Sequence, residues 1–217
     1  MTRVVQDLAS VDWKRRQEGL RGLEEAAGSR LRDVKNNIVG VMDALLPRLS
    51  DVNSKVNTYA HNVLKELVTR LGSDLEPFLP RIVPSVINAL CSSNPVVRAA
   101  AQVGADAVFS DMEGGSTLPL VSNMALHGNS RTCVVSLQWI EKIMMSGSVS
   151  QKQTVVTKHV LPVCASYIAD NKVDVRSAIR RILVQARGIL GSEGLLDSTR
   201  GWSEPDKLRM RELLAAP

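Results

Sequence analysis

The sequence predicts an all-α fold, an α-solenoid of helix pairs stacked side by side. Three observations predict it. Apolar residues recur at helical spacing, the pattern itself recurs about every 40 residues, and aromatic residues make up only 3% of the 217 positions. A sandwich or barrel of this length draws on more Tyr, Phe, Trp and Thr. Cores of Leu, Val, Ile and Ala suit stacked helices. A chain of this length buries about 70% of its unfolded surface, so it needs no disulfide or metal staple.

The repeat is visible in one column. Leu20, Ala60, Ala101, Leu137 and Ile179 follow one another at steps of 40, 41, 36 and 42 residues. The position before each is mostly small: Gly19, Tyr59, Ala100, Ser136 and Ala178. Three residues earlier still come Arg16, Val56, Val97, Cys133 and Val175. Each copy thus carries apolar or small residues at i, i+3 and i+4, the stripe of an amphipathic helix. Arg16 is the exception. A period near 40 with two helices per unit matches the HEAT class.

The elements follow in order. Thr2–Ala9 and Asp12–Ala27 form the first pair. Leu31–Leu49 leads through Ser50-Asp51-Val52-Asn53-Ser54 into a helix from Lys55 to Leu71. Pro77–Cys91 leads through Ser92-Ser93-Asn94 into a helix that opens on Pro95. Leu118–His127 leads through Gly128-Asn129-Ser130 into the fourth copy. Gln151–Ala169 leads through Asp170-Asn171-Lys172 into the fifth. Asn, Asp and Ser in these loops cap the following helix, because their side chains accept from its free N–H groups. Pro95 fits a first turn, where its missing N–H costs nothing. Pro80, Pro84 and Pro162 bend or interrupt the first helices of their pairs. A weaker pair, Glu193–Thr199 and Glu204–Leu214, closes the array among Gly191, Gly194, Gly201 and Pro205, as a capping repeat does. The count is six repeats and about twelve helices, read as one domain over residues 1–217.

Stacked pairs align their short intra-repeat loops along one edge, at roughly 10 Å per repeat. The five matching loop positions are Trp13, Asn53, Asn94, Ser130 and Lys172. An indole in the polar segment Ser10-Val11-Asp12-Trp13-Lys14-Arg15 is either a binding anchor or a local staple onto the first helix. Cations gather near the same edge: Lys14, Arg15, Lys55, Arg98, Arg131, Lys172 and Arg176. They form a row suited to an acidic surface. Ser92 to Arg98 and Asp170 to Arg176 share a six-residue offset, so these two arginines either brace their own loops or meet a partner.

No catalytic chemistry is assembled. His61, His127 and His159 fall on separate repeats, without HxxxH or a nearby cysteine pair, and read as surface or half-buried residues. Cys91, Cys133 and Cys164 form no CxxC and read as buried thiols in a reducing compartment. Ser110-Asp111-Met112-Glu113-Gly114-Gly115-Ser116 lacks a P-loop lysine or EF-hand spacing and reads as a connector. No GxGxxG or GxSxG occurs. No enzyme, metal site or cofactor is expected. Apolar runs fall short of the ~18–20 residues of a membrane span, and the polar opening Met1–Asp7 is not that of a signal peptide. The net charge of +5 favours an acidic partner. The basic residues are not interleaved with aromatics, so nucleic acid is not that partner.

The segment Asp12-Trp13-Lys14-Arg15-Arg16-Gln17-Glu18-Gly19-Leu20, opening six HEAT repeats, resembles the start of a TOG domain. These are the tubulin-binding arrays of microtubule polymerases, CLASP-type rescue factors and the ciliary crescerin group. Asp51–Val56, Ser93–Arg98 and Asp170–Arg176 are similar in kind to TOG loops. The resemblance implies a flat paddle whose loop edge grips αβ-tubulin, free or in the microtubule lattice. It makes Trp13 the anchor on β-tubulin, with Lys14 beside it. Asn53, Lys55, Asn94 and Arg98 become further contacts in the second and third loops. Arg131, Lys172 and Arg176 meet α-tubulin. It further implies a monomeric domain of a larger multi-domain protein, cytoplasmic and on the microtubule cytoskeleton of cilium, centrosome or spindle. The alternative is a HEAT scaffold that keeps the fold and binds another protein.

Overall fold

The computed structural model describes residues 1–146 and 152–215. All regular structure among them is helical, and the chain separates into two compact units, Met1–Met112 and Glu113–Pro217.

The first unit holds α1 (Thr2–Leu8), α2 (Trp13–Ser29), α3 (Leu31–Asn36), α4 (Ile38–Leu45), α5 (Ser54–Leu71), α6 (Leu79–Leu90) and α7 (Pro95–Asp111). The second helices of its pairs form a row, α2 on α5 and α5 on α7, with α1 against α2 and α6 against α7. The second unit holds α8 (Gly114–His127), α9 (Ser130–Met145), α10 (Lys152–Val155), α11 (Leu161–Tyr167), α12 (Val173–Ser198) and α13 (Glu204–Ala215). There α9 packs on α8 and α12, and α11 packs on α8 and α12.

The repeat column forms the core. Leu20, Ala60, Ala101, Leu137 and Ile179 are all fully buried, and the column four residues earlier is buried in every copy, Arg16 included. Burying such an aliphatic side chain stabilises the fold by about 1.5–3 kcal/mol.

The first helices of the pairs are more broken than their apolar periodicity predicts. The stretch expected over Leu31–Leu49 divides into α3, α4 and a 3₁₀ turn, Leu46–Ser50, which has Pro47 in its first turn. The stretch from Pro77 begins as the tail of a 3₁₀ segment, Gly72–Phe78. In the fifth pair, α10 passes into a π-helical turn, Val156–Val160, before α11. Pro162 has no N–H for the carbonyl four residues back, so the ladder rearranges there. Gln151, where that helix was expected to start, lies outside the described residues.

Other boundaries also moved. The connector expected over Ser110–Ser116 shrinks to Met112 and Glu113: α7 runs to Asp111, and Glu113 caps α8 by accepting from the Ser116 N–H at 3.0 Å. The closing helix from Glu193 continues α12 across a break at Gly191, whose φ of 74° is left-handed. His61 is fully buried rather than at the surface, because α5 is covered by both α2 and α7. Cys133 and Cys164 are buried as expected, while Cys91 is half-buried.

Candidate functional site

The loops are built by caps. Asp12 accepts from the Lys14 N–H at 2.9 Å, and Asn53 from Lys55 N–H at 3.0 Å. Asn94 accepts from Val96 N–H at 2.9 Å, and Asn129 from Arg131 and Thr132 N–H, each at 3.0 Å. A side-chain cap of this kind stabilises its helix by about 1 kcal/mol. The fifth loop differs from expectation: Asp170 accepts from the Lys172 N–H at 2.7 Å and closes a turn, but α12 begins after Lys172 without a side-chain cap. The side-chain oxygens of Asn53 and Asn94 are therefore engaged inside their own loops.

Arginines brace the same loops. Arg98 donates to the carbonyls of Ser92 and Ser93 at 2.7 and 2.9 Å. Arg176 donates to those of Asp170 and Asn171 at 3.0 and 2.7 Å. Arg16 repeats the device on Ser10 and Val11, at 3.0 and 2.9 Å. It also reaches across to the second loop, where its guanidinium meets both carboxylate oxygens of Asp51 at 2.8 and 2.9 Å. Asp51 accepts as well from Arg48 and from the Asn53 N–H, each at 2.9 Å. The Arg16 side chain is 9% exposed and that of Asp51 2%. This buried pair locks the first loop to the second, and it explains why an arginine occupies an apolar slot.

Trp13 is half-buried at the start of α2. Lys55 Nζ lies 5.7 Å from its ring centroid and Lys14 Nζ 6.0 Å. An indole face attracts ammonium groups at this range. Trp13, Lys14 and Lys55 thus form one cluster spanning two loops. A groove of about 380 Å³, lined by Asp51, Val52, Ser92 and Asn94 among others, sits between the second and third loops. The first unit therefore presents its three loops side by side.

In the second unit, Tyr167 donates to the Ala125 carbonyl at 2.8 Å, its hydroxyl near the Cys133 thiol. These contacts tie the ends of the fourth and fifth loops. Arg131 and Lys172 are exposed and form no ion pair among the described residues.

Periodicity did not single out the loop valines. Val11 and Val52, each just before a capping residue, are 100% and 99% exposed; Val96 and Val173 are also exposed. An aliphatic residue in an otherwise polar loop was the available signal. With Trp13 they make the loops both apolar and cationic.

The family model for the CLASP N-terminal region matches residues 9–195. The chain belongs to this family. Among curated relatives of this CLASP N-terminal chain, the TOG array regulator of axonemal microtubules protein 1 of Mus musculus is 34% identical over 95 residues, 43% of this chain and 5% of that protein. The CLIP-associating protein of Drosophila melanogaster is 29% identical over 167 residues, 71% of this chain and 11% of that protein. The chain thus spans a small part of the relatives it matches. Among solved structures, the TOG domain of C. elegans Zyg9 superposes with a TM-score of 0.75 at 15% identity, covering 98% of this chain and 80% of that one. Crescerin, which uses a TOG domain array to regulate microtubules in the primary cilium, gives 0.72 at 19% identity, covering 97% and 88%. The fold is that of a TOG domain, a HEAT-repeat solenoid.

Proposed function

We propose that this chain is a non-enzymatic tubulin-binding module that contributes to the regulation of microtubule dynamics. The observation that carries the reading is the Trp13 cluster. A half-buried indole between two ammonium groups, on loops fixed by the Arg16–Asp51 pair, offers a rigid anchor to an acidic protein surface. Family membership supports the reading. So do the names of the relatives, which speak of axonemal microtubules and of tubulin recruitment by TOG arrays.

In this reading Trp13, Lys14, Asn53, Lys55, Asn94 and Arg98 contact β-tubulin from the first unit. Arg131, Lys172 and Arg176 contact α-tubulin from the second. Arg98 and Arg176 contribute chiefly by holding their loops. Residues 1–217 act together as one monomeric module of a longer, multi-domain microtubule-associated protein of the cytoplasm, with cilium, centrosome and spindle as its settings.

Gel filtration with purified αβ-tubulin tests this. The wild-type chain comigrates with tubulin, and Trp13→Glu combined with Lys172→Ala does not, while the helical circular-dichroism spectrum is unchanged. Comigration that survives the double substitution removes these loops from the interface. Absence of comigration by the wild type supports a HEAT scaffold for another protein.

A further inference from the structure

The last two helices of the second unit enclose a groove that the loop contacts do not use. Gly191 redirects α12, so that residues 192–198 lie beside α13. Arg180 Nε donates to the Leu213 carbonyl at 3.1 Å and holds the far end of α13 in place. Between the two helices lies a cavity of about 260 Å³. Buried Leu195 and Met210 form its floor, Leu214 contributes a half-buried wall, and Leu196 stands 50% exposed at its lip.

The charges that line it are of one sign. Arg187 and Arg211 line the groove, and among the described residues no carboxylate does. Of the acids on these two helices, Asp197 pairs with Arg200 at 2.6 Å and Glu204 with Lys207 at 2.9 Å, while Glu193 and Glu212 are exposed outside the lining. Arg187 and Arg211 form no ion pair among the described residues. The volume is below the range of about 300–1,000 Å³ typical of small-molecule pockets. It matches a few aliphatic side chains presented at i, i+3, i+4 and i+7 by a docked helix. Guanidinium groups at the margins select carboxylates flanking that apolar stripe.

We infer that the α12–α13 groove docks an acidic amphipathic helix of a partner protein, with aliphatic side chains seated over Leu195 and Met210 and carboxylates on Arg187 and Arg211. This site is separate from the loop contacts, so it stands or falls independently of tubulin binding.

The probe is a synthetic peptide of about 15 residues, long enough for a marginal helix, with leucines at helical spacing and glutamates elsewhere. A matched peptide carries lysine for every glutamate. Titration into the ¹⁵N-labelled full chain shifts the amide signals of Leu195, Leu196, Met210 and Leu214 with the acidic peptide only. Arg187→Glu with Arg211→Glu weakens binding at least about tenfold, the equivalent of 1.4 kcal/mol. Leu196→Asp does the same, and neither variant alters comigration with tubulin. Four results would overturn the inference: no shifts, shifts elsewhere, equal binding of the lysine peptide, or an unaltered affinity in both variants. So would concentration-dependent self-association in ultracentrifugation that Leu196→Asp abolishes. Binding to phosphatidylserine vesicles without binding to the peptide would assign the groove to a membrane surface and likewise overturn it.

Discussion

Asp51 accepts from two arginines and a backbone N–H while almost fully buried. Its charge is tolerable there only because it is so fully paired. The six-residue offset read from Ser92 to Arg98 and from Asp170 to Arg176 also holds from Ser10 to Arg16, so the local brace was legible in the sequence. The partnership with Asp51 was not. It joins residues 35 apart, and no local pattern encodes it. His61 shows the same limit. It adjoins the apolar stripe of α5, but its burial depends on α7, where a Cβ on Gly104 would come within 3.2 Å of Nδ1. Burial lowers the His61 pKa from 6.5 to about 4, and neither ring nitrogen has a hydrogen-bond partner among the described residues. The unfolded chain gains this proton below about pH 6.5 and the folded one only near pH 4. Stability is therefore lost as pH falls through that window, by up to about 1.4 kcal/mol per unit. Thermal melts from pH 7 to 4 check this: His61→Gln should decline less steeply than wild type, and parallel declines would exclude His61 as the cause.

At the scale of elements, the second helices of the pairs were legible because each keeps one apolar face without interruption, from Val56 to Leu71 and from Val175 to Ile189. The first helices were less so: α3 gives way to α4 at Asn37, a point that hydrophobic spacing does not mark, and α6 starts at Leu79 with Pro80 in its first turn and runs on through Pro84 instead of breaking there. In the column before the core, Gly19 marks a close approach: a Cβ there would lie 2.7 Å from the Leu8 backbone nitrogen. Gly19→Ala therefore displaces α1 from α2. Despite alanine's helix propensity, worth about 1 kcal/mol, the substitution should destabilise the fold by about 1–3 kcal/mol. Chemical denaturation measures this, and equal or greater stability would show that α1 yields freely.

At the scale of the molecule, the architecture followed from one period, and the loop positions followed from the architecture. What the period could not reveal was which loop side chains face outward and which serve their own backbone. The net charge of +5 gives a test of the tubulin reading. Association should weaken as sodium chloride rises from about 50 to 300 mM, because the Debye length contracts from about 14 to 6 Å. Lys172→Ala should lessen that dependence. An affinity indifferent to salt would leave an interface governed by Trp13 and the exposed valines.

The arginine braces divide labour by chemistry. Rigidity in the first, third and fifth turns rests on guanidinium groups, which stay protonated at any physiological pH. Along the loops Lys14, Lys172 and, in the second turn, Lys55 carry primary amines, which acylation can neutralise. The molecule's outward electrostatics can thus be rewritten covalently while its framework stays as it is.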